Sequence, residues 1–352
     1  MSASGTFTAY LVEPAFEAAL EAELGSAPGR SPRWPAVLTR PRGHDGPEDP
    51  MFARQVLPEA QLIKAPAPEA LVEQVLEASL ARVQGAVAGP FVFTPDASRY
   101  RALAAAVGPC TQRLKAGLKA AGHKGLPPNP QALRAAFRQG RQVLQVALVG
   151  HTSALVSCSV PRACVGGGFD ISPWPAGLAP VAQDRQAPSR AYKKLEETFA
   201  WLGRAPRAHE TVVDLGGAPG GWAWTALKRG AQVTAIDRAP LSPPAAGHPA
   251  LVQVQGDAFA FSPPAPVDWL LCDVICEPAR SLALITRWAR EGWCRHLVVT
   301  VKFKGATGNH LAVSPIVSVL TTAGFRVARV KHLHNNQNEV EVFASREGDQ
   351  HG

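Results

Sequence analysis

Long hydrophobic runs, paired cysteines and a leader-like start are all missing from this 352-residue chain. No stretch of about 18 uninterrupted apolar residues occurs, so a membrane span is not expected. Residues 1–5 do not show the basic-then-apolar pattern of a signal peptide. The six cysteines show no Cys-x-x-Cys spacing, which argues against zinc and for reduced thiols. These absences predict a cytoplasmic protein that needs no metal.

Acidic residues are absent between Asp96 and Asp170. The same interval is rich in arginine and lysine, although the net charge of the whole chain is only +8. Such a one-sign segment predicts contacts with phosphates, unless an Ala- and Arg-rich composition supplies arginine without function. Aromatic residues are few there (Tyr100, Phe137 and Phe169), so we expect contacts with RNA backbone and shape rather than base stacking. The predicted RNA contacts are Arg99, Arg101, Arg113, Lys115, Lys119, Lys124, Arg134, Arg138 and Arg141.

A glycine-rich turn, Asp-Leu-Gly-Gly-Ala-Pro-Gly-Gly-Trp at residues 214–222, separates a strand-like run from a helix-like run. Glycines let the backbone turn sharply and approach a ligand closely. Their spacing is not the G-x-G-x-x-G of dinucleotide sites, and no Gly-Lys-Ser/Thr of a P-loop follows. An acid before the turn suits a ligand with a cationic centre, so we predict S-adenosylmethionine as cofactor. The predicted contacts are Asp214, Gly216, Gly217, Ala218, Pro219, Gly220, Gly221 and Trp222.

Strands alternate with helices after this turn, which predicts a mainly parallel sheet. Further strands are predicted at residues 231–237, 251–257, 267–273 and 296–303. Three of them end in an acid, and we add Asp237, Asp257 and Asp273 to the predicted cofactor contacts because the first is placed to accept hydrogen bonds from ribose hydroxyls. A single Asp at a strand end is more commonly a helix cap or turn former. The last two strands, 325–333 and 339–345, have a short connection that predicts an antiparallel hairpin.

From about residue 189 to residue 346 the sequence resembles the FtsJ-like ribose 2'-O-methyltransferases. Their signature is a Lys-Asp-Lys-Glu tetrad, and four matching motifs occur here in the right order. The Ser-Arg-Ala and Leu-Glu-Glu residues around it identify Lys194 as the first lysine. Asp273, Lys302 and Glu339 complete the tetrad. The resemblance implies that these four residues carry the catalysis.

The chemistry of ribose methylation explains why such residues are needed. A 2'-hydroxyl is a poor nucleophile at neutral pH, so a proton must be removed while oxygen, carbon and sulfur are aligned. A lysine acts as a base only if its pKa is lowered. We predict Lys302 as the base, with Lys304 as the alternative on the same strand face, and Glu341 is the corresponding alternative to Glu339. Lys194 has the alternative of a solvated helix residue, and Trp222 that of a core residue.

The first half of the chain combines short strands and helices. Strands are predicted at residues 6–12, 36–39, 91–93, 143–149 and 153–160, and helices at 14–24, 66–80, 99–106, 111–121 and 131–139. This mixture resembles the ferredoxin-like plus THUMP arrangement found before catalytic domains of RNA-modifying enzymes. The whole chain resembles the M-type bacterial 23S ribosomal RNA cytidine 2'-O-methyltransferases.

This resemblance implies an α/β fold, in which a Rossmann-like class I methyltransferase domain with seven strands and a terminal antiparallel hairpin follows the RNA-binding region. The segments are 1–65 (ferredoxin-like), 66–165 (THUMP-like, basic), 166–188 (Gly/Pro-rich linker) and 189–348 (catalytic). It also implies methylation of a cytidine ribose in large-subunit RNA before full assembly, with a monomer favoured.

Other functions remain open at this point. A transfer RNA or another structured RNA is an alternative target, because THUMP modules often serve such enzymes. A catalytically inactive RNA-binding protein is a second alternative, although the intact tetrad argues against it. A small-molecule methyltransferase is a third, and the acid-free basic segment argues against that.

Overall fold

The computed structural model describes residues 5–26, 32–43, 46–126, 130–303 and 310–347. They form two compact units, one comprising Met1–Cys164 with Phe169–Leu178 and the other Val165–Gly168 with Ala179–Gly352. None of the described helices is long and apolar enough to cross a membrane. The described residues also contain no group of three or more His, Cys, Asp or Glu side chains that could hold a metal ion.

The predicted linker, residues 166–188, is divided between the two units instead of standing apart. In the first unit, the Gln55 side chain donates hydrogen bonds to the carbonyl oxygens of Ser172 and Trp174. In the second unit, the Ala328 amide donates to the carbonyl oxygen of Gly166 at 2.8 Å. Because these backbone groups are paired with neighbouring elements, each part of the segment belongs to the unit that it contacts.

The first unit contains one six-stranded sheet. Its strands are β1 (Phe7–Leu11), β2 (Val37–Pro41), β3 (Gln55–Lys64), β4 (Ala88–Phe93), β5 (Val143–Gly150) and β6 (Ser153–Ser159). The strand order is β2-β1-β3-β6-β5-β4. Antiparallel pairing of β3 with β6 carries the sheet across the predicted boundary at residue 65. The segments 1–65 and 66–165 are therefore parts of one sheet rather than two separate regions.

β3 is a strand that the sequence pattern does not predict. It contains Pro58, which cannot donate to a ladder, and its apolar residues do not alternate regularly. The Pro58 carbonyl oxygen accepts a hydrogen bond from the Ser157 hydroxyl. Glu59 has a φ of 51°, and the pairing of β1 with β3 shifts register between Phe7 and Ala9. The irregular pattern of apolar residues in this strand therefore corresponds to a β-bulge.

The helices of the first unit are α1 (Glu17–Leu24), α2 (Pro68–Leu80), α3 (Ala104–Ala120) and α4 (Pro130–Arg138). α3 runs continuously where two helices were predicted, with Pro109 inside it. Cys110, Leu114 and Leu118 form a buried stripe along α3 that offsets the hydrogen bond lost at Pro109. Gly117 permits close packing on α2, because a Cβ there would lie 2.5 Å from the Leu76 side chain.

The second unit contains a seven-stranded sheet. Its strands are β7 (Thr211–Leu215), β8 (Gln232–Asp237), β9 (Leu251–Gln255), β10 (Val267–Cys272), β11 (Cys294–Lys302), β12 (Val327–Lys331) and β13 (Glu339–Ser345). The order is β12-β13-β11-β10-β7-β8-β9; among these described strands, β13 pairs antiparallel with both β12 and β11, and the other neighbours pair in parallel. The chain proceeds from β7 toward one edge and then returns to β10 beside it. Ligands bind at the carboxyl ends of strands at such a switch point.

The α-helices among the described residues of the second unit are α5 (Tyr192–Leu202), α6 (Gly221–Leu227), α7 (Pro278–Arg290) and α8 (Ile316–Thr322). α6 begins inside the glycine turn, immediately after β7. α5 precedes β7 and packs on α6 and β13. Two helices are thereby positioned at the carboxyl end of β7, where the site lies.

Candidate active site

The four tetrad residues come from four elements that meet at one place. Lys194 lies in α5, Asp273 directly follows β10, Lys302 ends β11 and Glu339 begins β13. The antiparallel register places Lys302 directly opposite Glu339. Directly opposed residues project to the same face of a sheet, so strand pairing alone brings this lysine and this carboxylate together.

Asp273 is at the centre of the tetrad. Its Oδ1 lies 2.8 Å from Nζ of Lys194 and 3.0 Å from Nζ of Lys302. Glu339 completes the cluster, with Oε1 3.0 Å from Nζ of Lys194 and Oε2 4.0 Å from Nζ of Lys302. The four side chains are only 10–20% exposed. Two ammonium groups and two carboxylates thus form one compact cluster without net charge.

The two lysines have different surroundings. Burial lowers the pKa of Lys194, but the carboxyls of Glu341 (when it is ionised), Asp273 and Glu339 outweigh burial and hold that pKa above its usual value. Lys194 is therefore an ammonium at neutral pH, suited to orienting groups rather than accepting a proton. Lys302 has twice the exposed fraction and lines the adjacent cleft. Lys304, the alternative base, lies outside the described residues.

The glycine turn forms a cleft beside the tetrad with a volume of about 430 Å³. Gly216 has a φ of 75°, which a side chain would strain. A Cβ on Gly221 would lie 2.3 Å from the Ser189 hydroxyl, so that glycine allows the start of α6 to approach the segment before α5. A Cβ on Gly217 would lie 3.0 Å from Oδ2 of Asp214 and would crowd that oxygen.

The acids in this cleft fit a cationic ligand. Asp214 is 1% exposed, and its Oδ2 has no hydrogen-bond partner. Burial raises the pKa of Asp214 to about 7, and the negative charges of Asp273 and Asp237 add to the rise. An unpaired oxygen among three carboxyls favours a positively charged group. S-adenosylmethionine carries such groups in its sulfonium and amino centres.

Most of the predicted cofactor residues line this cleft: Asp214, Gly216, Gly217, Ala218, Pro219, Gly221, Trp222, Asp237 and Asp273. Gly220 does not; a Cβ there would lie 2.9 Å from that of Ala245, so this glycine serves packing. Trp222 is buried and donates from Nε1 to the Ala191 carbonyl oxygen at 3.0 Å, which makes it a core residue as well as a lining residue.

Asp257 lies in a second compartment of about 240 Å³, which shares Gly216, Asp237, Val274 and Ile275 with the first. Its carboxylate accepts a hydrogen bond from the Phe259 amide and pairs with Arg238, and these contacts lower its pKa. Asp237 likewise accepts hydrogen bonds from the amides of Ala218 and Ala239. Both acids therefore also perform the turn-forming role that the sequence left open.

The two compartments are also lined by residues that were not predicted as contacts from the sequence: Ser189, Ala191, Val274, Ile275, Phe259 and Arg280. The Arg280 guanidinium lies 4.1 Å from the centroid of the Phe259 ring, a cation–π contact. Val274 and Ile275 directly follow Asp273, and Phe259 lies two residues after Asp257, so the strand-end acids could have indicated these three residues. For Arg280 no sequence signal existed, because only the fold brings α7 to this compartment.

The predicted RNA contacts differ in how exposed their side chains are and in whether they pair with other residues. Seven side chains are exposed: Arg99, Arg101, Arg113, Lys115, Lys119, Lys124 and Arg138. Arg134 and Arg141 are half-buried, and the Arg134 guanidinium lies 5.8 Å from the Trp174 ring centroid. Arg113 makes two hydrogen bonds with Glu73 of α2, at 2.7 and 2.6 Å. Although residues 97–169 contain no acid, the fold therefore brings the carboxylate of Glu73 next to Arg113.

Comparison with known proteins identifies the family of this chain. Residues 187–345 match the FtsJ-like methyltransferase family. A protein of Thauera aminoaromatica is 31% identical over 84% of this chain and 78% of its own length. One from Xylella fastidiosa (strain M12) is 31% identical, covering 71% and 69%, and one from Halorhodospira halophila is 38% identical, covering 53% and 55%. All three are named ribosomal RNA large subunit methyltransferase M. The chain therefore belongs to this family of FtsJ-like, S-adenosylmethionine-dependent methyltransferases.

Proposed function

We propose that this protein transfers the methyl group of S-adenosylmethionine to the 2'-oxygen of a cytidine ribose in large-subunit (23S) ribosomal RNA. The observation that carries the proposal is the position of Asp273, which pairs with Lys194 and Lys302 at 2.8 and 3.0 Å beside the glycine-turn cleft. The names of the relatives support the ribosomal target. The tetrad supports a reaction in which a hydroxyl must lose its proton.

In this proposal Lys302 is the general base. The bound cofactor would supply a methyl group that is activated because it is attached to a sulfonium sulfur. After transfer, the demethylated cofactor would depart with its sulfur as a neutral thioether. A cationic ligand held in the cleft that Asp273 and Lys302 line would compete with Lys302 for the Asp273 carboxylate and would thereby favour the neutral amine. The Lys302 amine takes the hydroxyl proton while the ribose oxygen bonds to the methyl carbon and the carbon–sulfur electron pair returns to sulfur. Lys194 and Glu339 orient the ribose oxygen and the base.

We assign the N-terminal unit to RNA binding and compare it with a THUMP-like module. Its exposed lysines and arginines on and near α3 support this assignment, because phosphate contacts supply most of the affinity for RNA. Lys115 and Lys119 lie one helical turn apart on α3, so both project from the same face. Arg113 contributes less free charge because of its pairing with Glu73.

The test is methyl transfer from labelled S-adenosylmethionine to total RNA that lacks the modification, with Lys302→Ala and Lys193→Ala compared with the wild type. Lys193 is next to the tetrad lysine but lies outside the cluster of ion pairs, so its variant is the matched control. We expect label in one large-subunit ribose, loss of at least about 100-fold in Lys302→Ala with cofactor binding retained, and activity retained in Lys193→Ala. Label in transfer RNA would show that transfer RNA, and not ribosomal RNA, is the substrate. No label despite cofactor binding would contradict the proposal.

A further inference from the structure

Glu341 is a fifth ionisable residue beneath the tetrad that takes no part in its ion pairs. It lies two residues after Glu339 in β13, so the two carboxyls project to the same face of the strand. Its side chain is completely buried. Across β11 it is paired in register with Thr300, and across β12 with Lys331.

The hydrogen bonds made to Glu341 come from neutral donors. The Thr300 hydroxyl is 3.1 Å from both Oε1 and Oε2, and a single hydroxyl proton serves only one of them at a time. The Asn336 side-chain amide donates to Oε1 at 2.9 Å. A protonated Glu341 can donate to the Thr300 oxygen and accept from the Asn336 amide, whereas these two neutral groups supply little compensation for a fully buried carboxylate.

The charge balance around Glu341 also favours its neutral form. The charged groups that face it from the surrounding elements are Lys194 of α5, Asp273 after β10, Lys302 of β11, Glu339 of β13 and Lys331 of β12. Lys194 is already paired with two carboxylates, and Lys331 lies 5.6 Å from the centroid of the Trp201 ring. Ionised Glu341 would add a third carboxylate to a tetrad that is otherwise balanced.

We propose that Glu341 is a positioning residue that holds a proton beneath the tetrad and sets how readily the tetrad lysines release theirs. This inference rests on the proposed function. While Glu341 is protonated, only Asp273 and Glu339 stabilise the two ammonium groups. When Glu341 ionises, the added negative charge stabilises both ammonium groups further and opposes formation of the neutral amine of Lys302.

The proposal predicts a specific shape for the pH dependence of methyl transfer. Burial raises the pKa of Glu341 to about 8; the opposing effect of Lys194 is smaller, and Glu339 and Asp273 add to the rise. Below pH 8, while Glu341 is protonated, the rate rises with pH as expected for a reaction that needs a general base. Above pH 8 Glu341 ionises, so the rise flattens into a plateau.

The first test observes the carboxyl directly, without reference to activity. NMR titration of the full chain labelled with ¹³C at glutamate carboxyls should show one signal with a midpoint near pH 8, absent in Glu341→Gln. Thr300→Val removes one donor to the carboxylate and should raise the midpoint, which keeps the assignment testable if Glu341→Gln does not fold. A midpoint below pH 6 in the wild type would overturn the proposal.

The second test compares pH–rate profiles of the wild type, Glu341→Gln and Glu196→Gln. Glutamine fixes the neutral form, so we expect equal rates near pH 7 and a Glu341→Gln rate on the order of three- to tenfold above the wild type near pH 9.5, as a coupling of up to one pKa unit predicts. Glu196 lies in α5 and pairs with Arg229 away from the tetrad, so its variant should follow the wild-type profile.

A uniform loss of rate at every pH in Glu341→Gln would mean that Glu341 only packs the site, and would overturn the inference. If instead Lys302→Ala keeps full activity, the proposed base is wrong, whereas the carboxyl titration near pH 8 still stands. The two failures are therefore distinguishable.

Discussion

A buried carboxyl oxygen without a partner imposes a free-energy cost that a cationic ligand removes, and Asp214 has such an oxygen. The glycines of the turn bring it to the cleft, because a Cβ at Gly217 would crowd Oδ2 of Asp214. At the scale of single residues, the unpaired oxygen of Asp214 therefore destabilises the protein without ligand and attracts a positively charged group to the cleft. Stability and cofactor affinity should oppose each other at this residue.

The substitution Asp214→Asn tests this opposition. The pKa of Asp214 is raised from 3.8 to about 7, so the folded protein retains a proton that the unfolded chain has released. Stability is therefore lost as pH rises through this window, and the uncharged amide does not share that loss. We expect the Tm of the variant to exceed that of the wild type at pH 8 by roughly 2–4 °C, the response to about 1 kcal/mol in a domain of this size.

Thermal unfolding at pH 5 and pH 8, followed by calorimetric titration with S-adenosylmethionine, checks this prediction. The Tm difference should be smaller at pH 5, and cofactor affinity at pH 8 should fall by roughly tenfold or more because an attraction to a cation is lost. An equal Tm difference at both pH values would show that the carboxyl does not titrate in this window.

At the scale of elements, Glu197 connects α5 to the connection between β12 and β13. It is completely buried and accepts hydrogen bonds from the His334 and Asn335 amides, and from the Asn335 side chain, at 2.8–2.9 Å. Glu197 lies three residues after Lys194 in the helix, and the connection ends at Glu339. This carboxylate therefore sets the position of one tetrad element relative to another.

Replacing Glu197 with alanine should leave three partly buried donors without their acceptor. We expect the free energy of unfolding to fall by about 2–4 kcal/mol, since hydrogen bonds to buried charged groups are costly to remove. Glu196→Ala breaks only a partly exposed pair with Arg229 and should cost less than about 1 kcal/mol. Urea unfolding of both variants measures the difference. Equal losses would show that Glu197 contributes no more than the exposed pair.

Several elements of the second unit could be predicted from sequence, because strand-end acids, the glycine turn and the tetrad motifs have regular spacing. β3 could not, since Pro58 and the bulge at Glu59 interrupt its pattern. The tetrad distances depend on the register of Lys302 with Glu339, which spacing alone does not determine. Counting charges along the sequence likewise could not predict that Arg113 pairs with Glu73, which is 40 residues away.

At the scale of the whole molecule, charge is distributed unevenly. The chain carries a net charge of +8, while the cleft of the second unit contains Asp214, Asp237 and Asp273. The exposed cations of the predicted RNA-binding segment belong to the first unit. The two units therefore have different electrostatic character, one suited to a polyanion and the other to a cationic cofactor.

RNA affinity measured against salt concentration tests this division. Each phosphate contact that is removed should lower the slope of log affinity against log salt by about 1 and weaken binding across sequences. We expect this for Lys115→Glu and Lys119→Glu, with a smaller effect for Arg113→Ala because Glu73 already neutralises that guanidinium. Cofactor affinity serves as the control and should be unchanged. An Arg113→Ala effect as large as that of Lys119→Glu would contradict this ranking.

The opposed positions of Lys302 and Glu339 constrain how this chain can evolve. Sliding β13 along β11 by one residue would turn Glu339 and Glu341 to the other face of the sheet and separate both from the lysines. Insertions or deletions that shift this pairing would therefore remove catalysis without unfolding the sheet. The segments on either side of β9, residues 240–250 and 260–266, contain no helix and have no such register to keep. Lineages of this enzyme are expected to accumulate length changes there, while the spacing from Lys331 to Glu339 stays constant.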